Sequence, residues 1–254
     1  MKKLIAIAFF CGSIVTTNGQ DRQSNLSLGF NFGRIQIQET ALNGLIHQGS
    51  IIIVNLSYDN QSQSGLSHSI ELNFGTGSIR SDIEESKNST FSNPQLRYSL
   101  TKSISPSISV GGYLSGEYLV INFENWDDSH KYWVTSYQLG PVLKLNNVPL
   151  NDFSIEFSFP ILAFVSRSRN EITNKVDSGT FSDIWGLIHS NATTTSFIKY
   201  QSLYLQLRYT LFNSERINLD IRSKFKYVHS LIPGTKEFTS SIILIGLLFS
   251  YGIN

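Results

Sequence analysis

Lys236–Asn254, KEFTSSIILIGLLFSYGIN, is the stretch whose reading decides the fold. Its apolar run from Ile242 to Phe249 is too short to cross a bilayer as a helix, which takes about 17–25 residues. As a strand it is long enough. With side chains alternating between two faces, Thr239, Ser241, Ile243, Ile245, Leu247, Phe249, Tyr251 and Ile253 fall together, and that face turns aromatic where the chain ends.

Nine further segments upstream carry the same period of two. Leu26, Leu28, Phe30 and Phe32 alternate with small or polar residues, as do Ile52, Val54, Leu56 and Tyr58, and His68, Ile70, Leu72 and Phe74. The pattern continues through Leu96–Leu100, Ile108–Tyr118, Trp133–Leu139, Phe153–Ile161, Leu203–Leu211 and Ile217–Tyr227. Pro160 removes a ladder donor and predicts a bulge or strand end in the seventh segment. Connections alternate between short and long, the longest being Arg167–Ser196, as in a barrel with short periplasmic turns and long extracellular loops. We therefore expect one all-β domain, a single antiparallel up-and-down transmembrane β-barrel of about ten strands. Twelve would follow if Arg167–Ser196 held another hairpin.

The polar residues that alternate with the apolar set support this. Glu71, Arg97, Glu117, Glu156, Arg208, Asp220, Arg222 and Lys224 would all point into the lumen, where they either neutralise one another as a packed network or line a narrow water path. On the lipid face a Lys or Arg near the midplane would cost about 2–4 kcal/mol. Trp126, Tyr132, Trp133 and Tyr137 at the loop end, and Phe249 and Tyr251 at the other, are expected as interfacial girdles.

At the other end of the chain, Met1-Lys2-Lys3 and the apolar Leu4–Val15 have the form of a secretory signal. Small residues at Thr17 and Gly19 predict cleavage before Gln20, giving a signal peptide of residues 1–19 and a barrel of residues 20–254. Cys11, the single cysteine of the chain, leaves with the signal, and Phe10 before it argues against lipidation. Loss of Lys2 and Lys3 turns 20 basic and 19 acidic residues into 18 and 19, too little positive charge for a nucleic-acid partner. Charged residues make up 15% of the chain, well below the usual quarter, and the mature part has no thiol for a disulfide or a thiolate metal site.

Gly246-x-x-Phe249-x-Tyr251 resembles the C-terminal signal by which the assembly machinery recognises Gram-negative outer-membrane β-barrel proteins. Leu244 stands where that family has a polar residue, and Gly252, Ile253 and Asn254 follow the final aromatic. The resemblance implies an outer-membrane location, lipid as surroundings and the barrel-assembly machinery as a partner during biogenesis.

No phosphate loop, metal-binding histidine pair or nucleophile elbow is present, so no cofactor and no metal is expected. His68 lies on an apolar face, and His47, His189 and His229 lie near loops or strand ends. Two long loops carry Asp82 and Glu84, and Asp128 and His130. An acidic couple facing an Asp-x-His is an arrangement that holds and deprotonates a water, and it resembles the site of the omptin surface proteases, which are also ten-stranded barrels. The loop order and chain length depart from that family. Within Arg167–Ser196, Phe181, Ile184, Trp185 and Leu187 form an apolar cluster that would either cap the barrel mouth or contact another envelope protein. Three functions stand at this point: a non-enzymatic structural or interaction barrel, a narrow pore for small polar solutes, and a surface hydrolase.

Overall fold

The structure, a computed structural model, describes residues 23–40, 44–82, 88–123, 130–168, 185–186, 188–189, 191–232 and 236–253. Among the described residues twelve strands are formed: β1 (Gln23–Glu39), β2 (Ile46–Gln61), β3 (Leu66–Ser81), β4 (Ser89–Ser105), β5 (Ile108–Phe123), β6 (His130–Asn146), β7 (Phe153–Ser158), β8 (Leu162–Arg167), β9 (Thr193–Ser196), β10 (Tyr200–Asn213), β11 (Ile217–Ser230) and β12 (Phe238–Ile253). Ten of them close a ring in the order β1-β2-β3-β4-β5-β6-β7-β10-β11-β12, every neighbour antiparallel. The seam that completes it joins β12 to β1, from Ser24 opposite Ile253 to Glu39 opposite Phe238. The two additional strands prolong members of the ring: β8 continues β7 along β6, and β9 pairs with β8 ahead of β10. Among its described residues the long connection after β8 contributes the short strand β9. Among the described residues no helix is long and apolar enough to cross a membrane; the crossing elements are strands.

Both ends of the barrel chain lie at the end where the connections are short. There Gly65 closes the β2–β3 turn at φ 77°, a conformation that a side chain would strain. The strands run well beyond their apolar segments. In β1 the outward residues Leu26, Leu28, Phe30 and Phe32 are 43–56% exposed, and above them follow exposed Arg34 and Gln36. In β2 the outward Ile52, Val54, Leu56 and Tyr58 likewise give way to Ser50 and Gln48 toward the loop end. The inward face switches in the opposite sense. Ser27 and Asn31 are succeeded by Ile35 and Ile37, and Ser57 and Asn55 by Ile53 and Ile51. The lower wall is apolar outside and polar inside, as hydrocarbon requires. The upper wall is polar outside and apolar inside, like a water-soluble barrel. One strand therefore crosses two solvents, and its polarity inverts where it leaves the first.

This inversion corrects the reading of Tyr132 as a girdle residue. Tyr132 points inward above the band and is 2% exposed, because β6 has already entered the upper zone there. Trp126 lies outside the described residues.

Pro160 breaks the seventh stave. β6 pairs Val142 with Ser158 and then Leu139 with Leu162, so three steps on β6 meet four on its neighbour. The extra residue reverses which parity faces inward. Ser154, Glu156 and Ser158 face the lumen before it, and Ala163, Val165 and Arg167 after it, the last three being 0–2% exposed.

Candidate functional site

The lumen has three levels. The lowest is a polar cup of about 370 Å³, open at the turn end and lined by serine, threonine, asparagine and glutamine from nearly every strand, with Asp59, Asp152, Lys144 and Arg208 among them. These residues arise from the inward positions of strands whose outward positions are apolar, so the cup is a direct consequence of the alternation.

Its floor is a layer of ion pairs. Glu71 is paired with Lys224 and lies 3.7 Å from the Arg222 guanidinium; Asn55 donates to Glu71 at 2.9 Å and accepts from Arg222 at 3.0 Å. Arg97 donates at 2.9 Å to both Glu156 and Ser158, and its guanidinium lies between the rings of Tyr113 at 4.2 Å and Tyr204 at 4.8 Å. Glu156 also faces Lys144 at 3.4 Å. Glu117 is paired with Lys226 and accepts from Asn93 at 3.1 Å and Gln95 at 3.0 Å. Asp220 lies 3.0 Å from Arg208 and accepts from Thr210 at 2.7 Å. All eight charged residues named from the sequence line the interior, and Lys144 and Lys226 join them. Their signal was available: Lys226 alternates with Arg222 and Lys224, and Lys144 shares the parity of Ser136 and Gln138.

Above the ion pairs the barrel is filled with apolar side chains. Ile53, Ile242 and Leu244 lead upward to Ile35, Ile37, Ile51, Ile79, Phe91, Leu119, Ile121, Val134 and Val165, none more than 6% exposed. A clasp closes this level. Arg167 lies 3.2 Å from Glu39 and also donates to the Lys236 carbonyl, while Tyr132 donates to Glu39. These groups stand above the apolar outer band. Burial, with the Glu39 carboxylate beside it, pushes the Tyr132 phenol well above its usual value. Burial also lowers the His47 imidazole, and the charge of Asp82 offsets only part of that. Periodicity gave no sign of the clasp, since its three side chains come from β1, β6 and β8 and one of them is inward only because of the Pro160 bulge.

On the outer wall, Asp82 accepts from Gln48 at 3.0 Å. Glu84, Asp128 and the side chain of His130 lie outside the described residues, so the acid and Asp-x-His pair has no geometry to report. Phe181, Ile184 and Leu187 also lie outside them. Trp185 stands against the outside of the barrel, its ring 6.1 Å from Tyr118 and 4.4 Å from His189. His189 bonds the Tyr137 hydroxyl at 2.8 Å through Nε2 and the Trp185 carbonyl at 2.8 Å through Nδ1. His68 bonds Tyr98 at 2.8 Å near the turn end. Gly246 faces inward, opposite Asn31 and Arg222, and Phe249 and Tyr251 face outward, 47% and 44% exposed. Among the described residues no group of His, Cys, Asp and Glu has a metal-holding arrangement.

The sequence matches no protein-family model, and no curated protein matches it significantly. Solved structures do. The outer membrane protease OmpT from Escherichia coli is similar at TM-score 0.50 with 8% identity, over 94% of this chain and 99% of that one. The translocator domain of the autotransporter NalP from Neisseria meningitidis is 12% identical over 96% of this chain and 97% of that one, at TM-score 0.47. Ail, the attachment invasion locus protein of Yersinia pestis, is 9% identical over 90% and 99%, at TM-score 0.40. At such identities the likeness is one of fold. The closed ten-strand ring, apolar on the outside of its lower wall, has the fold of an outer-membrane β-barrel, with no subfamily indicated.

Proposed function

We propose that the protein is a non-conducting outer-membrane barrel that acts through its loop end, as a structural or contact element rather than as a pore or an enzyme. Residues 1–19 direct its export in this reading, and the upper wall lifts the loops clear of the lipid. The observation that carries the reading is the filled upper lumen: among the described residues an apolar layer stands above the ion pairs, with Arg167, Glu39 and Tyr132 joined over it, and an ion crossing that layer would have to leave its water. A porin of the narrow kind would keep polar groups along its whole axis. The segment after β8 is the candidate contact element. Trp185 is 39% exposed beside the outer wall, and Phe181, Ile184 and Leu187 are its sequence neighbours.

Two measurements test this. Reconstitution in planar bilayers is expected to give no steady conductance, and reproducible ion-selective steps altered by Glu117→Gln would overturn the closed lumen. Cross-linking in whole cells, comparing the wild type with a chain whose residues 177–192 are replaced by a Gly/Ser linker, is expected to lose a specific envelope partner while the barrel stays folded. An unchanged set of cross-links would sink the contact role. Of the four residues of the hydrolase reading, only Asp82 has its side chain among the described residues, and it accepts from Gln48 on the outer wall.

A further inference from the structure

The cup opens on one side only. Asn147 and Asp152 of the β6–β7 turn and Gln61 at the end of β2 line its mouth. Its far wall is the ion-pair layer, where Glu71 lines both the cup and a smaller cavity of about 50 Å³ that carries Arg97, Glu117, Lys224 and Lys226. Above that layer stands the apolar fill. A solute entering from the turn side therefore meets a dead end of about 370 Å³, within the roughly 300–1,000 Å³ of ordinary small-molecule sites.

The charges in the floor of the cup are matched, and several of its hydroxyls are not. Glu71 is held by Lys224 and Arg222, Glu156 by Arg97 and Lys144, and Arg208 by Asp220. Some hydroxyls are also taken up: Ser27 donates to Ser250 at 2.8 Å, and Ser103 and Ser109 share a bond at 3.1 Å. Ser57 of β2 and Thr101 of β4 differ. They line the cup at 7% and 2% exposure, and among the described residues neither side chain has a hydrogen-bond partner. Ser154 of β7 lines it from across the ring with its hydroxyl likewise unpartnered. Buried polar groups call for a partner, and for these it comes from the contents of the cup. Asp59 and Asp152, on opposite sides of the mouth, are in no ion pair among the described residues.

We propose that the cup is a binding site for a small neutral sugar, a mono- or disaccharide unit that enters from the turn side. A hydroxyl both donates and accepts hydrogen bonds, so a wall of hydroxyls and amides matches the ring hydroxyls of a sugar in either sense. Ser57, Thr101 and Ser154 hold it from the two sides, and Asn25, Asn146 and Gln206 supply amides. The matched floor gives an ion no free counter-charge, and the two carboxylates at the mouth repel an anion. This site lies at the opposite end of the barrel from the loops, so the proposal goes beyond their contact role and stands apart from it.

Calorimetry tests it on the chain refolded in micelles of a detergent without a sugar headgroup, with folding shown by heat-modifiable mobility. The probes are maltose for a free sugar, N,N′-diacetylchitobiose for the acetamido unit of a wall glycan, putrescine as a cation and glucose 6-phosphate as an anion. Saturable binding is expected for a neutral disaccharide, roughly an order of magnitude tighter than for either charged probe, and whichever disaccharide binds better identifies the source. Ser57→Ala with Thr101→Val should weaken it about tenfold through the loss of two hydrogen bonds. Ser50→Ala, on the outer wall, should leave it unchanged. Absence of saturable heat with both disaccharides would overturn the site. So would equal binding of a charged probe, or a double variant that binds as the wild type does. Should the double variant fold poorly, Ser154→Cys in a Cys11→Ser background takes its place. The disaccharide is then expected to slow labelling by a sulfonated maleimide several-fold, and indifference to it would overturn the proposal.

Discussion

Glu39 and Arg167, 128 positions apart in sequence, meet at 3.2 Å inside the upper barrel with side-chain exposures of 3% and 2%. The contact ties β1, on one side of the ring, to β8, which is inward at this position only through the bulge at Pro160. It closes the top of the apolar fill, and it does so with charges that have left water.

Removing one partner of a buried pair strands the other, at a cost of about 3–5 kcal/mol. Glu39→Gln and Arg167→Met are each expected to lower resistance to urea by that amount, read as the midpoint of heat-modifiable mobility in detergent. The double variant should cost less than the sum. Additive losses would show that the two side chains are not coupled.

Gly246 separates a packing role from a signal role. A Cβ there would overlap the Phe30 carbonyl oxygen and crowd Asn31, whereas at Gly252 the nearest atom would be 3.6 Å away. Overpacking of this kind costs about 1–3 kcal/mol. Gly246→Ala is expected to destabilise the barrel refolded in detergent, without any assembly machinery, and Gly252→Ala to be near neutral. Equal behaviour of the two variants would remove the steric account.

Phe249 and Tyr251 face lipid from the strand that closes the ring, opposite Leu28 and Leu26. If they belong to an assembly signal, Phe249→Ala with Tyr251→Ala should reduce folded barrel in cells far more than it reduces refolding in detergent. Equal losses in both settings would make them ordinary wall residues.

His47 sets a pH dependence. Its folded-state pKa lies below the ordinary 6.5, because burial disfavours the charged ring. Above pH 6.5 it is neutral in both states and contributes nothing. As pH falls through 6.5 the unfolded chain takes up a proton that the folded chain refuses, so stability declines until the folded value is passed. His47→Gln should flatten the stability curve just below pH 6.5 relative to the wild type. A difference that appears only above pH 7 would contradict this sign.

The outer band was legible because lipid imposes one rule on every strand: Leu26–Phe32 and Ile243–Ile253 declare their faces without reference to any other residue. The inward charges were legible for the same reason, by exclusion from that face. Their pairing was not. Glu71 and Lys224 are 153 positions apart, and alternation says only that both point inward, not at which height or opposite whom.

The amino-acid order by itself determined an all-β barrel of about ten staves, the face each side chain takes in the band, and an interruption of the seventh segment at Pro160, because each depends on local period or on a missing N–H. Only closure of the ring decided what the inward residues meet. Ile35 and Ile51 share a parity with Asn31 and Asn55, yet the first pair is packed into an apolar fill and the second joins or adjoins an ion-pair layer. That outcome depends on the register between strands and on the height of each residue relative to the lipid, and both exist only once the sheet has closed.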